Sequence, residues 1–198
     1  MKIDLHNHTN HSDGVYTPQE LLDRAIYKKV DIFALTDHDS VFGCEEIARL
    51  SEGRKILVIK GMELSTYYKG ESVHIVCLFE KNKIPQEMID FSYKTLEQRK
   101  DRAIRMMHNI EQIYHLKMDI AELLAENEVI TRANMLRNIA KHNAMSYVEA
   151  SFYVSKDSKA YIPSSKLSVA DGIAFARRAG CIPVSYTHLR AHETLRHL

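Results

Sequence analysis

DIFALTDHDS, residues 31–40, is the stretch from which the rest of this chain can be read. DIFALT is a short, continuous apolar run, which suits a strand buried on both faces of a parallel sheet. It delivers Asp37, His38 and Asp39 just past its end, where α/β folds place their active sites. Immediately upstream, Thr17-Pro18-Gln19-Glu20 is a capping box with proline at the first helical position. Leu21, Leu22, Ala25 and Ile26 give the helix that follows one apolar stripe, so residues 18–29 read as a helix. Further back, MKIDLHNHTNHSDG, residues 1–14, is a short strand leading to His6 and His8, with Asp13 in the loop beyond. The order is therefore strand, helix, strand, with polar residues past both strand ends.

Histidines at spacing two on a strand aim both imidazoles the same way, and Asp13 adds a carboxylate from the loop. Neutral imidazole with carboxylate suits zinc, manganese or iron, whereas calcium and magnesium prefer more oxygen. An H-x-H pair alone is weak, but the pattern recurs. Residues 41–50 read as a helix, and residues 56–60 as a third buried strand running into Gly61-Met62-Glu63. Residues 66–79 read as a hairpin around Lys69-Gly70, with His74 near the start of the apolar segment 73–79. A lone Glu63 would be a solvated carboxylate and a lone His74 a core histidine. Repetition at topologically equivalent places argues for a set.

From residue 86 to about 114 the pattern becomes long, charged and helical. Helices continue over 119–126 and 131–142, and Ser146-Tyr147-Val148-Glu149 opens another with a second capping box. This block interrupts the α/β alternation. It reads as a helical subdomain spanning residues 84–165, inserted between residues 1–83 and 166–184 and covering the site. His108, His115 and His142 read as surface or structural, and Met88, Met106, Met107, Met118, Met135 and Met145 as subdomain core. Residues 168–178 form one more amphipathic helix, stopped by Gly180, before a strand over 181–184.

The 198 residues, 45% hydrophobic and 27% charged with net charge +1, fit one sizeable core or one domain with an insertion. No global basic field is available to grip a polyanion, so any nucleic acid must be held locally. Cys44, Cys77 and Cys181 are widely spaced without a C-x-x-C pair, and read as buried small hydrophobes. No apolar stretch approaches membrane-spanning length, and the cytoplasm is the default expectation. VSYTHLRAHET, residues 184–194, resembles a translated sequencing adapter, so residues 185–198 are expected to be a non-native tail. The competing reading makes His188 and His192, at i and i+4, a metal-binding helix face.

DLHNHTNHSDG at 4–14, LTDHDS at 35–40, GMELST at 61–66 and VHIVCLF at 73–79 together resemble the PHP (polymerase and histidinol phosphatase) superfamily of metal-dependent phosphoesterases. ITRANMLRNIAKHNAMSYVEASFY at 130–153, with AYIP at 160–163, resembles the helical insertion of its small members that act on nucleotide 3',5'-bisphosphates and short RNA. The resemblance implies an α/β fold, a distorted (β/α)7 barrel with two or three divalent ions (Mn, Zn or Fe) at its strand ends. It makes His6, His8, Asp13, His38, Glu63 and His74 the metal ligands, Glu63 bridging two ions. Asp4, Asp37 and Asp39 would hold imidazole N–H groups and fix their tautomers, and Arg132 would clamp a substrate phosphate. The implied activity is hydrolysis of a phosphorylated small molecule or short RNA, with no membrane and no stable protein partner. Histidinol-phosphate phosphatase and a polymerase-associated exonuclease-type PHP domain are the alternatives.

Two departures stand out. Relatives carry Arg-Pro-His or Arg-Ala-His where this chain has Arg132-Ala133-Asn134. The family's next strand ends in Ala-His-Pro, followed by an Asp-x-His pair, where this chain has Ile182-Pro183-Val184. Three ligands then lack a counterpart, and the expectation for the 198-residue chain itself is an incomplete barrel and an inactive fragment. A metal-binding interaction module is a third reading, with no sequence feature of its own.

Overall fold

The computed structural model describes residues 1–126 and 130–185. Its first half is β1 (Ile3–Asp4), α1 (Pro18–Tyr27), β2 (Ile32–Leu35), α2 (Cys44–Leu50), β3 (Leu57–Tyr68) and β4 (Glu71–Phe79). Helix α1 starts as its sequence dictates: the Glu20 amide donates to Thr17 Oγ1 at 3.3 Å, and the Thr17 amide donates to Glu20 Oε2 at 2.9 Å. Its apolar stripe, Leu21, Leu22 and Ala25, packs with Phe33, Leu35, Ile47 and Val58 from β2, α2 and β3. Each such large side chain contributes about 1.5–3 kcal/mol by leaving water. Leu22 is fully buried, and Leu22→Ala would open a cavity costing about 2–5 kcal/mol.

Strands β1, β2 and β3 run parallel, β3 and β4 antiparallel, and β6 (Cys181–Ser185) pairs antiparallel with the far side of β4. Two features differ from the sequence reading. The third strand and the first hairpin arm are one twelve-residue strand. Its first part, 57–60, pairs with β2; from Gly61 onward it pairs with β4. A Cβ at Gly61 would lie 2.8 Å from the Cys77 carbonyl oxygen, so only glycine allows β3 to cross between its two partners here. Glu63 and Ser65 alternate with the buried Met62 and Leu64, and they are buried too. A strand whose second face carries polar side chains for chemistry resembles a loop when read by hydrophobicity. The hairpin turn is as expected, with Lys69 at φ 46° and Gly70 at φ 91°.

The second difference concerns the helical block, α3 (Gln86–Tyr114), α4 (Ile120–Glu126), α5 (Arg132–Asn143) and α6 (Tyr147–Tyr153). Helix α3 has 29 residues and serves two cores. Its start places Met88 among Met62, Leu64, Phe79 and Ala176 over the sheet. Its end places Met106, Met107 and Ile110 against Leu123, Met135 and Ile139 of α4 and α5. Met88 is thus sheet core rather than subdomain core, because it lies about five turns before Met106 on a continuous helix. Strand β5 (Leu167–Ser168) pairs parallel with β3 at Thr66 and Tyr67 and leads into α7 (Val169–Arg178), which Gly180 ends at φ 74°. Two residues carry no periodicity, which is why β5 escaped the sequence. The three cysteines are free and buried, and burial pushes the Cys44 and Cys77 thiols up to about 12. His188 and His192 lie outside the described residues.

Candidate metal centre

Strand β1 ends at Asp4, so His6 and His8 lie beyond it rather than on a paired ladder. Side chains hold this stretch extended. The Asn7 amide donates to Thr36 Oγ1 at 3.2 Å, the Thr36 amide donates back to the Asn7 carbonyl at 2.9 Å, and Asn7 Nδ2 donates to Asp4 Oδ1 at 3.0 Å. Asn7 therefore faces β2 while its two neighbours face the opposite way. The His6 and His8 rings converge, centroids 4.9 Å apart.

Asp37 closes the following loop. Its carboxylate accepts from the Thr9 amide at 2.7 Å, Thr9 Oγ1 at 2.6 Å and Ser12 Oγ at 2.6 Å, all buried. That bonding fixes the turn that presents Asp13. The next residues are stitched to β3: the Glu63 amide donates to the Asp37 carbonyl at 3.1 Å, and the Asp39 amide to the Glu63 carbonyl at 3.0 Å. Asp39 has φ 53°, a left-handed conformation that costs free energy in a non-glycine residue. Its carboxylate accepts from the Ser65 amide at 2.7 Å and pairs with Arg99 of α3. Burial alone would raise the Asp39 pKa, but the Arg99 charge and the Ser65 bond hold it below the ordinary value.

At the centre lies the Glu63 carboxylate, 4% exposed, with ring nitrogens of four histidines around it. His6 Nε2 is 2.9 Å and His8 Nε2 3.1 Å from Oε2; His38 Nδ1 is 3.2 Å from Oε2, and His74 Nδ1 3.3 Å from Oε1. Asp13 joins from the loop, 3.5 Å from His38 Nε2 and 3.7 Å from His8 Nδ1. Burial pushes the Glu63 and Asp13 pKa values up, but the histidine contacts outweigh it and hold both well below the usual carboxylate range. Burial opposes the charged form of His8, while Glu63 and then Asp13 favour it, and the net shift is upward.

These side chains form three overlapping donor groups: His6, His8 and Glu63; His8, Asp13 and His38; and His38, Glu63 and His74. Within each, the donor atoms lie within 4.8 Å of one another. The His6 and His8 Nε2 atoms are only 3.0 Å apart, and His8 Nδ1 is buried without a hydrogen-bond partner. Four imidazoles packed around two carboxylates cannot all carry protons without mutual repulsion. With the imidazoles neutral, their lone pairs and the two negative charges make a donor set suited to divalent cations.

The cleft above this cluster is walled by basic side chains from the helical block. Arg132 opens α5, fixed by the Thr131 cap, whose partner is Asn134: the Asn134 amide donates to Thr131 Oγ1 at 3.3 Å, and the Thr131 amide to Asn134 Oδ1 at 2.8 Å. Asn134 thus spends its side chain on the cap that aims Arg132. Arg99, Arg102 and Lys166 line the same cleft. Sequence reasoning missed them. Arg99, Arg102 and Arg105 recur at intervals of three on α3, a spacing that shares a helix face and could have been noticed; Lys166 had no such signal. Arg102 is fixed by donating Nε–H to the Ile162 carbonyl at 2.6 Å and by lying 5.3 Å over the Tyr161 ring.

Residues 4–161 match the PHP domain family. The chain belongs to the PHP family. Among its PHP relatives, the 5'-3' exoribonuclease of Haemophilus influenzae is 32% identical over 197 residues, covering 98% of this chain and 71% of the relative. The 3',5'-nucleoside bisphosphate phosphatase of Chromobacterium violaceum is 30% identical over 187 residues, covering 92% of this chain and 65% of the relative. A crystal structure of a candidate metal-dependent phosphoesterase from Bifidobacterium adolescentis superposes with a TM-score of 0.81 at 25% identity, covering 93% of this chain and 66% of that one. The chain thus spans about two thirds of the length of these PHP proteins. The α/β architecture expected from residues 31–40 is that of this PHP neighbour. Among the described residues, no helix is long and apolar enough to cross a membrane.

Proposed function

We propose that this chain is a metal-dependent phosphoesterase acting on phosphate esters of nucleotides or short RNA. The observation that carries the reading is the Glu63 carboxylate centred among four imidazoles beneath a basic wall. His6, His8, Asp13, His38, Glu63 and His74 would hold two or three ions, Mn, Zn or Fe, with Glu63 shared between two of them. When bound, such ions supply Lewis-acid stabilisation of a phosphoryl group and lower the pKa of water to a useful range.

The protein's own side chains do the rest. Asp4 and Asp37 set the backbone on which His6, His8 and Asp13 sit, and Asp39 ties His38 to β3 and, through Arg99, to α3. Arg132 offers a planar fork for a phosphate oxygen pair, and Arg102 and Lys166 add positive charge beside it. The helical block, residues 84–165, together with Lys166 just beyond it, thereby supplies the substrate side of the cleft. An exoribonuclease and a bisphosphate phosphatase among the relatives favour nucleotide substrates over histidinol phosphate or a polymerase-linked role.

The test is hydrolysis of a nucleoside 3',5'-bisphosphate with added Mn2+ or Zn2+, alongside direct measurement of metal uptake. Turnover that needs the metal and falls about a thousandfold in Glu63→Gln is the expected result. Metal uptake undiminished in Glu63→Gln would overturn the ligand assignment. Absence of turnover in a chain that binds metal would favour the inactive-fragment reading.

A further inference from the structure

The hydrogen-bonding of His74 beyond the cluster involves a serine to which no role has been given so far. Ser72 and His74 share one face of β4, two residues apart, and Ser72 Oγ lies 3.0 Å from His74 Nε2. The other His74 nitrogen, Nδ1, is the one 3.3 Å from Glu63 Oε1. Lys166 Nζ also donates to Ser72 Oγ, although the two residues are 94 apart in sequence. The short strand β5 makes that contact possible. Pairing Leu167 with Thr66 and Ser168 with Tyr67 brings residue 166 alongside β3, across from Ser72, which itself pairs with Tyr67.

A lysine ammonium can only donate, so Ser72 Oγ must accept from it. A serine oxygen has a second lone pair, which can take the His74 Nε2–H. We propose that Ser72 is a positioning residue that accepts hydrogen bonds from Lys166 and from His74 Nε2–H together, fixing the His74 ring with its Nδ1 lone pair turned toward Glu63. The inference rests on the metal reading above, since that tautomer is the one in which Nδ1 can take an ion. Lys166 adds a constraint that water in place of Ser72 could not keep. It lies within electrostatic reach of Asp39 as well as of Arg99, Arg132 and Arg102, and its ammonium donates to Ser72 Oγ. Ser72 is exposed, and solvent can partly replace it, which sets the expected effect at the lower end of what an outer hydrogen-bond partner of a metal ligand contributes.

The experiment is Zn2+ titration of the chain together with ring-nitrogen NMR of its histidines, for wild type, Ser72→Ala, Ser72→Thr and Lys166→Met. Ser72→Ala should weaken zinc binding about tenfold, and its zinc-loaded form should lose the protected His74 Nε2–H signal. Ser72→Thr, which keeps the hydroxyl, should restore both; Lys166→Met should show a smaller loss in the same direction. Wild-type zinc affinity and unchanged His74 ring-nitrogen shifts in Ser72→Ala would overturn the proposal. If wild type takes up no zinc, the metal reading fails by itself. The Ser72 proposal is then decided on the metal-free spectra, where unchanged His74 shifts in Ser72→Ala overturn it and altered shifts restored by Ser72→Thr support it.

Discussion

Among the described residues, two clusters of carboxylate and histidine stand out, and they are built on opposite principles. At the strand ends, Glu63 is buried among four imidazoles and no lysine approaches it within ion-pair distance among the described contacts. On the helical block, Asp119, Glu122 and His142 also bring donor atoms within 4.8 Å. There the demands are already met: Glu122 pairs with Lys141 and His142, Asn138 Nδ2 donates to it at 3.3 Å, and Asp119 Oδ1 accepts from the Glu122 amide at 2.8 Å to start α4. A lysine supplies the positive charge that a metal would bring. Composition and proximity are alike in the two places; what differs is whether the cluster is left short of cations.

The comparison breaks most sharply at its two glutamates. Zn2+ at about a hundred times its dissociation constant should raise the melting temperature of wild type by about 5–10 °C. Glu63→Gln should abolish that rise and lower metal-dependent hydrolysis about a thousandfold, while Glu122→Gln keeps both. A full zinc shift in Glu63→Gln, or its loss in Glu122→Gln, would reverse the assignment of the two clusters. Next in size is Asp37→Ala. It strands the Thr9 and Ser12 donors in a buried loop and should cost about 3 kcal/mol, read by thermal or denaturant unfolding, with weaker zinc binding because Asp13 loses its support.

Arg132→Ala separates binding of ions from binding of substrate. It should raise KM about 10–100-fold and leave the zinc-dependent melting shift unchanged; a lost shift would place Arg132 in the ion site instead. The smallest effect belongs to the helical cluster. Lys141 and then His142 hold the Glu122 pKa below its ordinary value, so this pair stabilises the fold above the unfolded carboxylate pKa of about 4.5. The contribution fades as pH falls through the lower folded value. Glu122→Gln should therefore melt slightly below wild type at pH 7 in low salt and match it in strong acid or high salt. An equal difference at every pH would mean that packing, not charge, holds the cluster.

Much of the fold was legible because local rules and tertiary demands agree. The Thr17 capping box, the apolar stripe of α1, the buried run of β2 and the Lys69-Gly70 turn each have a signature confined to a few neighbouring residues. The strand over residues 57–68 was split in two by the reading of hydrophobicity, because Glu63 and Ser65 are polar side chains buried for what they contact. Strand spacing by itself aims the His6 and His8 rings the same way, yet it is the Asn7 and Thr36 bonding that holds them where no ladder continues. The basic residues Arg99 and Lys166 were not recognised, since each acquires its meaning from partners, Asp39 and Ser72, far away along the chain.

By itself the sequence determined the order of the helices, the buried run of β2 and the kinds of polar residue past the first strands, because periodicity, caps and ligand chemistry are written in adjacent residues. Only the tertiary structure decided that four histidines share one carboxylate, that Asp119, Glu122 and His142 are already satisfied, and that β5 carries Lys166 to Ser72. Those outcomes depend on which side chains meet across β3 and α3 at distances of about 3 Å. Hydrogen bonds and charge pairs fall off too steeply with distance for such meetings to be read from residues separated by dozens of positions.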